Sequence, residues 1–391
     1  MRLLVIGCGQ CGGRVADAFA ELRGRARLQR GIDIISGCFA VNTDVADLTG
    51  LRFIRHDYQH RIVIGGRRTG GHGVGKINQL GAEVAKEDGD KVIEALRTAG
   101  QFAEPDAFLL IAGAAGGTGS GAISVLTQQL KERYPEKAVY NLIVLPFKHE
   151  EMTEERTIHN TATCLKSAYL VADAVFLADN ERFSRKRLSL KNNLSRINSI
   201  LVQPFYNLLC AGEENKPEYI GSRVLDAGDI IQTLAGWTAI GYGTVSTPLI
   251  RFCSKDNSDF RKKAVGEQVE LQAMNSAINE LSLQCDPRDA NRALYLLCAS
   301  AEKMNINLVK ELNTALQRVA PQAVIRSGDY PRGKRSLEIT VILSELISVR
   351  KVTDYFTKMI LYMESRKKRT GLKDEQKGLQ EAFNGIPSLL D

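Results

Sequence analysis

The 391-residue sequence lacks a signal-peptide pattern and any apolar run near 18 residues, which is the length that a membrane-spanning helix needs. We therefore expect a cytoplasmic protein whose eight cysteines are reduced thiols. Metal-ligand spacing is also missing, because the five histidines are scattered and no second pair joins the C-x-x-C of Cys8 and Cys11. These absences predict that no side-chain cluster holds a metal ion.

Negative charge is scarce relative to positive charge, with 45 acidic and 52 basic residues and a net charge of +7. A basic surface suits an anionic membrane, a nucleic acid or an acidic protein partner. However, the basic residues are spread along the chain without interleaved aromatics, and there is no zinc-finger or helix-turn-helix spacing. Solvated faces explain most of this charge, and nucleic acid is a disfavoured partner.

The most informative stretch is the glycine-rich run at residues 112–122. It follows an apolar segment, 106–112, that predicts a buried parallel strand, and it precedes 122–130, which predicts a helix. Backbone N–H groups in such a loop can close around phosphate oxygens at the positive end of the helix dipole. Glycines alone also fit a tight turn, but the hydroxyls of Thr118 and Ser120 favour nucleotide binding. No Gly-Lys-Ser/Thr follows, so the run is not a P-loop.

A second glycine-rich loop, at residues 7–13, follows the apolar strand 3–6. Its Gly-x-Gly-x-x-Gly pattern is a weak dinucleotide-binding signal, and Asp44 at the end of 40–44 is the acidic residue that a Rossmann oxidoreductase needs for a ribose. The first 45 residues thus leave a dinucleotide-binding oxidoreductase open, although that alternative does not explain the glycines at 113–121.

The motifs in order resemble those of the tubulin and bacterial FtsZ superfamily of GTPases. Gly-Gly-Thr-Gly-Ser-Gly at 116–121 is similar to the signature loop, Gly-Gln-Cys-Gly at 9–12 to the first nucleotide loop of tubulin, and Asn-Thr-Asp at 42–44 to the second loop of FtsZ. Residues 209–234 look closest to the archaeal tubulin-like CetZ branch. The resemblance implies an α/β fold with a Rossmann-like parallel-sheet GTPase domain, a long central helix and a smaller α+β C-terminal domain.

The resemblance also implies that GTP or GDP is bound, with Mg²⁺ neutralising the phosphates. A third loop, 65–75, falls where the family senses the γ-phosphate, with a mobile basic loop as the alternative. Glu150 matches the family's carboxylate near the ribose, and Arg156 matches its basic residue that faces the phosphates. A helix start rich in glutamate is the alternative explanation of Glu150. The residues expected to bind phosphate or ribose are Gly9, Gln10, Cys11, Gly12, Asn42, Asp44, Gly70, Gly71, Gly73, Gly113, Gly116, Gly117, Thr118, Gly119, Ser120, Glu150 and Arg156.

Two asparagines are expected to bind the guanine base. Asp-Asn-Glu at 179–181 resembles the tubulin loop that reads the guanine edge, and the amide of Asn180 offers both a donor and an acceptor. Asn198, in the predicted helix 191–211, corresponds to the second base-reading position of the family. Pro204 lies inside that helix and predicts a kink.

Asp226 and Asp229 match the family's acidic pair, which projects into the site of the next subunit and positions the attacking water. The resemblance therefore implies a head-to-tail homopolymer in which assembly activates GTP hydrolysis. Helix capping is the alternative explanation of the two aspartates. Val224 departs from the asparagine that the family usually has just upstream.

Length and pattern predict several domains in a chain of ordinary globular composition. The predicted divisions are 1–190 (GTP-binding domain), 191–237 (central helix and catalytic loop), 238–363 (C-terminal domain) and 364–391 (basic flexible tail). The elements predicted after Thr238 are strands 244–253 and 337–346 and helices 264–283, 291–297 and 353–362.

The sequence thus predicts a cytoskeletal GTPase that acts in cell division or cell shape. Residues 386–390, Ile-Pro-Ser-Leu-Leu, resemble a degenerate form of the C-terminal peptide by which FtsZ proteins bind adaptors, with a frayed terminus as the alternative. An adaptor or a membrane is therefore expected as a partner of the tail. A nucleotide-dependent DNA partition or scaffold protein, and the Rossmann oxidoreductase, stay open as other functions.

Overall fold

The computed structural model describes residues 1–99, 105–185, 189–246, 271–333, 336–369 and 387–390. Within these ranges ten strands form one sheet in the order β3-β2-β1-β4-β5-β6-β7-β10-β8-β9. The strands are β1 (Leu3–Cys8), β2 (Ile35–Asn42), β3 (Arg61–Val63), β4 (Ala107–Gly113), β5 (Ala138–Leu145), β6 (Ala174–Asp179), β7 (Gly236–Ser246), β8 (Ala290–Ala299), β9 (Val324–Pro331) and β10 (Ser336–Leu346).

Helices cover both faces of this sheet. They are α1 (Gly9–Arg30), α2 (Val45–Thr49), α3 (Gly66–Thr69), α4 (Asn78–Thr98), α5 (Thr118–Arg133), α6 (Lys148–Thr153), α7 (Glu155–Val171), α8 (Asn180–Phe183), α9 (Leu190–Ala211), α10 (Ala227–Thr233), α11 (Ile306–Val319) and α12 (Arg350–Arg369). Residues 271–279 are also helical. No helix in the described ranges is long and apolar enough to cross a membrane.

The first seven strands are parallel, as their sequences require. Every residue of β1 is buried, and the apolar runs of β4 and β5 are likewise buried almost throughout. Continuous apolar strands of this kind belong in a parallel sheet with helices on both faces. Helices α4, α5, α7 and α12 contribute to the core on one face, and α1, α9 and α10 to the core on the other. The carboxyl ends of these strands form one edge, where such sheets bind ligands.

The remainder of the sheet is mixed. Strand β10 pairs antiparallel with both β7 and β8, and β8 pairs parallel with β9. This arrangement confirms the predicted class: a parallel α/β part, a long helix and a smaller α+β part. The predicted strand 337–346 and helix 353–362 are present as β10 and α12, but α12 runs on to Arg369, into the segment expected to be a flexible tail. The precise domain boundaries stay a prediction.

Several predicted elements in this second part were wrong or incomplete. The helix predicted at 291–297 is strand β8, where residues 293–299 are all buried between β9 and β10. A short run that is buried on every side cannot be assigned by periodicity. Strand β7 starts at Gly236 rather than at 244, and residues 247–253 lie outside the described residues. The helix predicted at 264–283 is helical at 271–279, and its first seven positions are also outside the described residues.

The predicted central helix is confirmed as α9, which continues through Pro204. The Ser189 hydroxyl caps its start by accepting a hydrogen bond from the backbone N–H of Asn192 at 3.3 Å. Phe205 packs edge-on against Phe19 of α1, with ring centroids 5.3 Å apart. The helix lies on the α1 face of the sheet and joins the parallel part to α10.

Candidate nucleotide-binding site

A cavity of about 350 Å³ lies where the carboxyl ends of β1, β2, β4, β5 and β6 meet. This is the position at which open parallel sheets bind ligands. Fourteen of the residues predicted to bind nucleotide line it: Gly9, Gln10, Cys11, Asn42, Asp44, Gly73, Gly113, Gly116, Gly117, Thr118, Gly119, Glu150, Asn180 and Asn198.

The loop between β4 and α5 presents unpaired donors to this cavity. The backbone N–H groups of residues 115–120 donate to no acceptor in the part of the chain that the structure describes. A Cβ added to Gly116 would have only the Gly113 carbonyl oxygen within reach, at 4.0 Å, so this position faces open space. Since these donors lie at the positive end of α5, the loop is built to hold an anion such as a phosphate.

The loop between β1 and α1 and the loop between β4 and α5 touch through their backbones, and this contact requires glycine. Gly9 has φ of +69°, and a Cβ there would lie 2.7 Å from the backbone nitrogen of Gly119. A Cβ on Gly119 would lie 2.6 Å from the carbonyl oxygen of Cys8. Glycine thus allows the start of α1 and the start of α5 to form one continuous floor.

Two polar bridges fix the second loop against its neighbours. Asp47 accepts hydrogen bonds from Gln10 Nε2 at 2.6 Å and from Asn42 Nδ2 at 3.1 Å. The hydroxyls of Thr43 and Thr118 lie 2.8 Å apart. Sequence reasoning missed Asp47, although an acidic residue in the first turn of the helix after β2 could have indicated a side chain that faces the cavity.

The two asparagines expected at the base stand on separate elements of the cavity wall. Asn180 is 9% exposed at the start of α8, and Asn198 lies on α9 together with the lining residue Leu194. Neither side-chain amide bonds to another described residue. Both amides are therefore available to a ligand, beside the apolar side chain of Leu194.

Positive charge in the cavity comes from Lys76, just after the basic third loop, and from Arg14, which the sequence analysis did not single out. Arg14 lies in the first turns of α1, and Lys76 has a left-handed backbone with φ of +58°. The Lys76 ammonium pairs with Glu154 at 2.6 Å. Glu150 accepts a hydrogen bond from the backbone N–H of Phe147 at 2.8 Å, as a helix-start residue does, and it also lines the cavity. Its contact with a ribose stays a prediction.

The two cysteines of the β1–α1 loop do not ionise to thiolates near neutral pH. Burial raises the pKa of the Cys8 and Cys11 thiols to about 12. Both are therefore protonated near neutral pH and cannot act as thiolates. The described residues also contain no group of three or more His, Cys, Asp or Glu side chains that could hold a metal ion.

Five predicted contact residues do not reach the cavity: Gly12, Gly70, Gly71, Ser120 and Arg156. Gly12 is a packing residue, because a Cβ there would lie 2.0 Å from the Ile111 carbonyl oxygen. The Ser120 hydroxyl donates to the carbonyl oxygen of Gly116 instead of facing the cavity. Gly70 and Gly71 have positive φ and shape the turn after α3, and Arg156 is exposed near the start of α7.

The third loop is also less free than expected. Its Arg68 side chain pairs with Glu83 at 2.6 Å and with Glu87 at 2.5 Å, both on α4. These contacts direct the guanidinium towards α4, and residues 73–76 are the part of this segment that lines the cavity.

Asp226 and Asp229 lie at the opposite edge of the sheet. The Cα of Asp226 is near Gly212, which also adjoins the backbone nitrogen of Met1, before the start of β1. The cavity lies beyond the other end of β1, and the six residues of that strand alone span about 20 Å. The acidic pair therefore cannot reach the cavity of its own subunit.

The acidic pair has an ordered local structure. Asp226 Oδ1 accepts a hydrogen bond from the backbone N–H of Asp229 at 2.8 Å, so the expected capping of α10 is present. Asp229 Oδ1 lies 3.5 Å from Arg326 Nε on β9. Arg326 also donates to the Gln232 side chain at 2.6 Å, which fixes its position beside α10. Both aspartates remain partly or fully exposed.

A larger cavity, of about 1020 Å³, lies between the end of β6 and the start of α12. Its wall carries paired charges, including Lys351 with Asp179 at 2.6 Å and Lys358 with Glu151 at 2.7 Å. It contains none of the glycine loops, and several of its charged side chains pair with one another. The smaller cavity is therefore the better candidate for a nucleotide site.

Comparison with known proteins agrees with this geometry. Residues 2–186 match the family model of the Tubulin/FtsZ family GTPase domain, and residues 188–360 match that of the tubulin-like CetZ C-terminal domain. The chain is 32% identical over 370 residues to the tubulin-like protein CetZ1 of Haloferax volcanii, covering 90% of each chain.

Solved structures from the same organism have the same fold. The GDP-bound CetZ1 monomer superposes with a TM-score of 0.79 at 29% identity, with 93% of this chain and 100% of that chain covered. The GTPγS-bound protofilament of CetZ2 gives a TM-score of 0.79 at 27% identity, with coverage of 94% and 100%.

Proposed function

The chain belongs to the tubulin-like CetZ family, and we propose that it binds GTP, assembles head to tail and hydrolyses GTP at the junction between subunits. One observation carries the proposal: the cavity and the acidic pair Asp226 and Asp229 lie at opposite edges of one sheet. A complete site then requires two subunits, one supplying the loops and the next supplying the carboxylates. The relatives support it, since one is described as a GDP-bound monomer and another as a GTPγS-bound protofilament.

The phosphates would occupy the floor formed by the β1–α1 loop and the β4–α5 loop. The unpaired N–H groups of residues 115–120 would donate to the phosphate oxygens, and Thr118 would add a hydroxyl. Bound Mg²⁺ would neutralise part of the phosphate charge. Gln10 and Asn42 would then hold the two loops in one arrangement, since both already donate to Asp47.

The base would lie between Asn180, Asn198 and Leu194. Guanine presents an acceptor and donors on one edge, and an asparagine amide can match either kind of group. A site that pairs buried polar groups with one base discriminates strongly against a base with the opposite pattern, because the groups would be left unpaired. If both amides pair with guanine at once, adenine would leave some of these groups unpaired, and we therefore expect GTP to bind better than ATP.

Hydrolysis would begin when a second subunit docks over the cavity. Its Asp226 and Asp229 would orient a water for in-line attack on the γ-phosphorus, and the bond to the β–γ bridging oxygen would break to release phosphate and GDP. Positioning and electrostatics dominate such phosphoryl transfers. The isolated subunit would turn over GTP slowly, because its own cavity lacks both carboxylates.

The deciding experiment measures light scattering and phosphate release in Mg²⁺ with GTP, ATP or NAD⁺. We expect scattering to rise only with GTP, with turnover per subunit increasing with protein concentration. Asp226→Ala should bind GTP, form longer-lived filaments and release phosphate slowly, whereas Asp90→Ala, on an exposed face of α4, should behave as the parent protein.

The alternatives predict other outcomes, which binding titrations with NAD⁺ and with DNA at several salt concentrations measure. Tight NAD⁺ binding without filaments would support the oxidoreductase, and salt-sensitive DNA binding without filaments would support the partition or scaffold protein. Rapid phosphate release by Asp226→Ala would reject the shared site.

The cellular task proposed for the filament is cell shape or cell division in the cytoplasm. A fluorescent fusion of the chain should then form filaments along the cell body or a ring at the division plane. In the Asp226→Ala variant these structures should persist longer and exchange subunits more slowly. Diffuse fluorescence unaffected by that variant would count against both tasks.

A further inference from the structure

The last described residues of the chain, 387–390, pack against the nucleotide-binding part of the same molecule. Leu389 is 5% exposed and belongs to the apolar core beneath α4, α5 and α7. Its backbone N–H donates to Ser167 Oγ on α7 at 3.0 Å. The carbonyl oxygen of Leu390 accepts a hydrogen bond from Lys86 Nζ on α4 at 3.2 Å.

The groove that receives this peptide is suited to a leucine. The core cluster that includes Leu389 also contains Ala82 and Ala85 of α4 and Cys164 and Ala168 of α7. Small side chains on two neighbouring helices leave room for a large apolar side chain between them. The backbone contacts to the two helices hold the peptide on either side of that side chain.

We propose that Pro387–Leu390, here called the C-terminal peptide, is an intramolecular ligand of the groove between α4 and α7. Docking buries Leu389, the most apolar contact that the peptide offers, and so conceals it from any other protein. Residues 370–386 connect α12 to the peptide, and eighteen peptide steps can span up to about 60 Å. This tether keeps the peptide at a high local concentration near its own groove, so a competing partner must bind it more tightly than the isolated contact would suggest.

The proposal is independent of the nucleotide chemistry. It depends on the burial of Leu389 and on two hydrogen bonds, none of which involves the cavity. An inactive or non-polymerising protein would still be expected to dock its C-terminal peptide.

The first test uses a fluorescent synthetic peptide with the sequence of residues 381–391 and the full-length chain without nucleotide. The wild-type groove is already occupied, whereas Leu389→Ala should release the resident peptide and leave the groove open. We expect Leu389→Ala to bind the free peptide at least about tenfold more tightly than the wild type, because burial of one leucine side chain contributes more than a factor of ten.

Leu390→Ala is the matched control, because Leu390 is only partly buried and contacts Lys86 through its backbone. It should behave as the wild type. A free peptide carrying the Leu389→Ala change should bind neither protein. Equal affinity of the wild type and Leu389→Ala for the free peptide, or no binding to either, would overturn the proposal.

The second test is hydrogen exchange of the wild-type chain over a 100-fold range of protein concentration. An intramolecular contact predicts a Leu389 amide protected at least about tenfold at every concentration, and unprotected in Leu389→Ala. Ser167→Ala, which removes the acceptor of that amide, should lower the protection without changing the protein's thermal unfolding. Unprotected exchange in the wild type would reject docking, and protection that disappears on dilution would show that the peptide of another copy fills the groove.

Discussion

Thr43 and Thr118 share a hydrogen bond of 2.8 Å between their hydroxyl oxygens, and both side chains are almost completely buried. The bond joins the loop after β2 to the first residue of α5, so it fixes the distance between two walls of the nucleotide cavity. Thr43→Val keeps the shape but leaves the Thr118 hydroxyl unpaired.

We expect Thr43→Val to lower the free energy of unfolding by about 1–2 kcal/mol, the typical cost of a buried unpaired hydroxyl. Urea unfolding measures this loss. Thr43→Ser keeps the hydroxyl and should lose less than half as much. Equal losses for the two variants would show that the methyl group, not the bond, matters.

Two glycine substitutions should separate nucleotide binding from folding. Gly116→Ala directs a methyl group into open cavity space and should weaken GTP binding about tenfold or more with little change in unfolding. Gly9→Ala collides with the Gly119 backbone at 2.7 Å and has positive φ, so it should destabilise the fold by more than 1 kcal/mol. Fluorescent GTP titration and urea unfolding of both variants distinguish the two effects, and a Gly116→Ala protein that binds GTP normally would contradict the cavity assignment.

Arg326 is expected to position Asp229 for catalysis. The two side chains are 3.5 Å apart at the edge of the sheet opposite the cavity. Arg326→Ala should lower the GTP turnover of filaments between about 10- and 100-fold, since small displacements of a catalytic group cost this much.

Filament formation and GTP affinity should be little changed in Arg326→Ala, and Arg326→Lys should recover part of the rate. Phosphate release per polymerised subunit is the relevant measurement. If the rate falls only because fewer subunits polymerise, Arg326 acts on assembly instead.

The two cavity asparagines should determine base preference. Asn180→Ala or Asn198→Ala should lower the preference for GTP over ATP by about 10- to 100-fold, because each removes a group that pairs with guanine. Competition titration with both nucleotides measures the ratio. Ser195→Ala, at an exposed position of α9, is a suitable control. A ratio that is unchanged in both asparagine variants would place the base elsewhere.

Buried thiols should make the protein unstable in alkali. Burial raises the pKa of the fully buried Cys8 from 9.0 to about 12. Unfolded chains therefore lose this proton first as pH rises, and the stabilisation from the neutral thiol is lost between pH 9 and about 12.

Each such group contributes up to about 1.4 kcal/mol per pH unit in that window. Cys38 and Cys164 have pKa values raised to about 12 in the same way. Urea unfolding at pH 7, 9 and 10 should show constant stability to pH 9 and a decline above it. A Cys8→Ala variant should show a shallower decline, and an equal slope in both proteins would exclude Cys8 as a contributor.

The nucleotide half of the molecule could be predicted because its signals are local. Apolar runs such as β1 and β4 end directly at glycine loops, and parallel strands bring those loops to one edge. The direction in which individual side chains point was harder to predict from the sequence. Ser120 looked like a phosphate donor, but its hydroxyl bonds to the Gly116 carbonyl within its own helix start. The third loop, 65–75, was interpreted as a possible mobile basic loop, but the side chain of Arg68 within it bonds to α4.

The α+β half gave weaker signals. Strand β8 is buried on both faces, so its sequence carries no period that separates a strand from a helix. The burial of Leu389 depends on its contact with Ser167, a residue more than 200 positions away in the chain. Such pairings follow from tertiary packing and leave no local pattern to detect.

The placement of the cavity and the acidic pair at opposite edges makes the two ends of the proposed filament chemically different. At one end the last subunit exposes a nucleotide that no neighbour's carboxylates reach, so this nucleotide remains GTP until another subunit arrives. At the other end the last subunit exposes Asp226 and Asp229 with no nucleotide to act upon. A filament built this way has a GTP cap one subunit deep at a single end, and growth and shrinkage become directional.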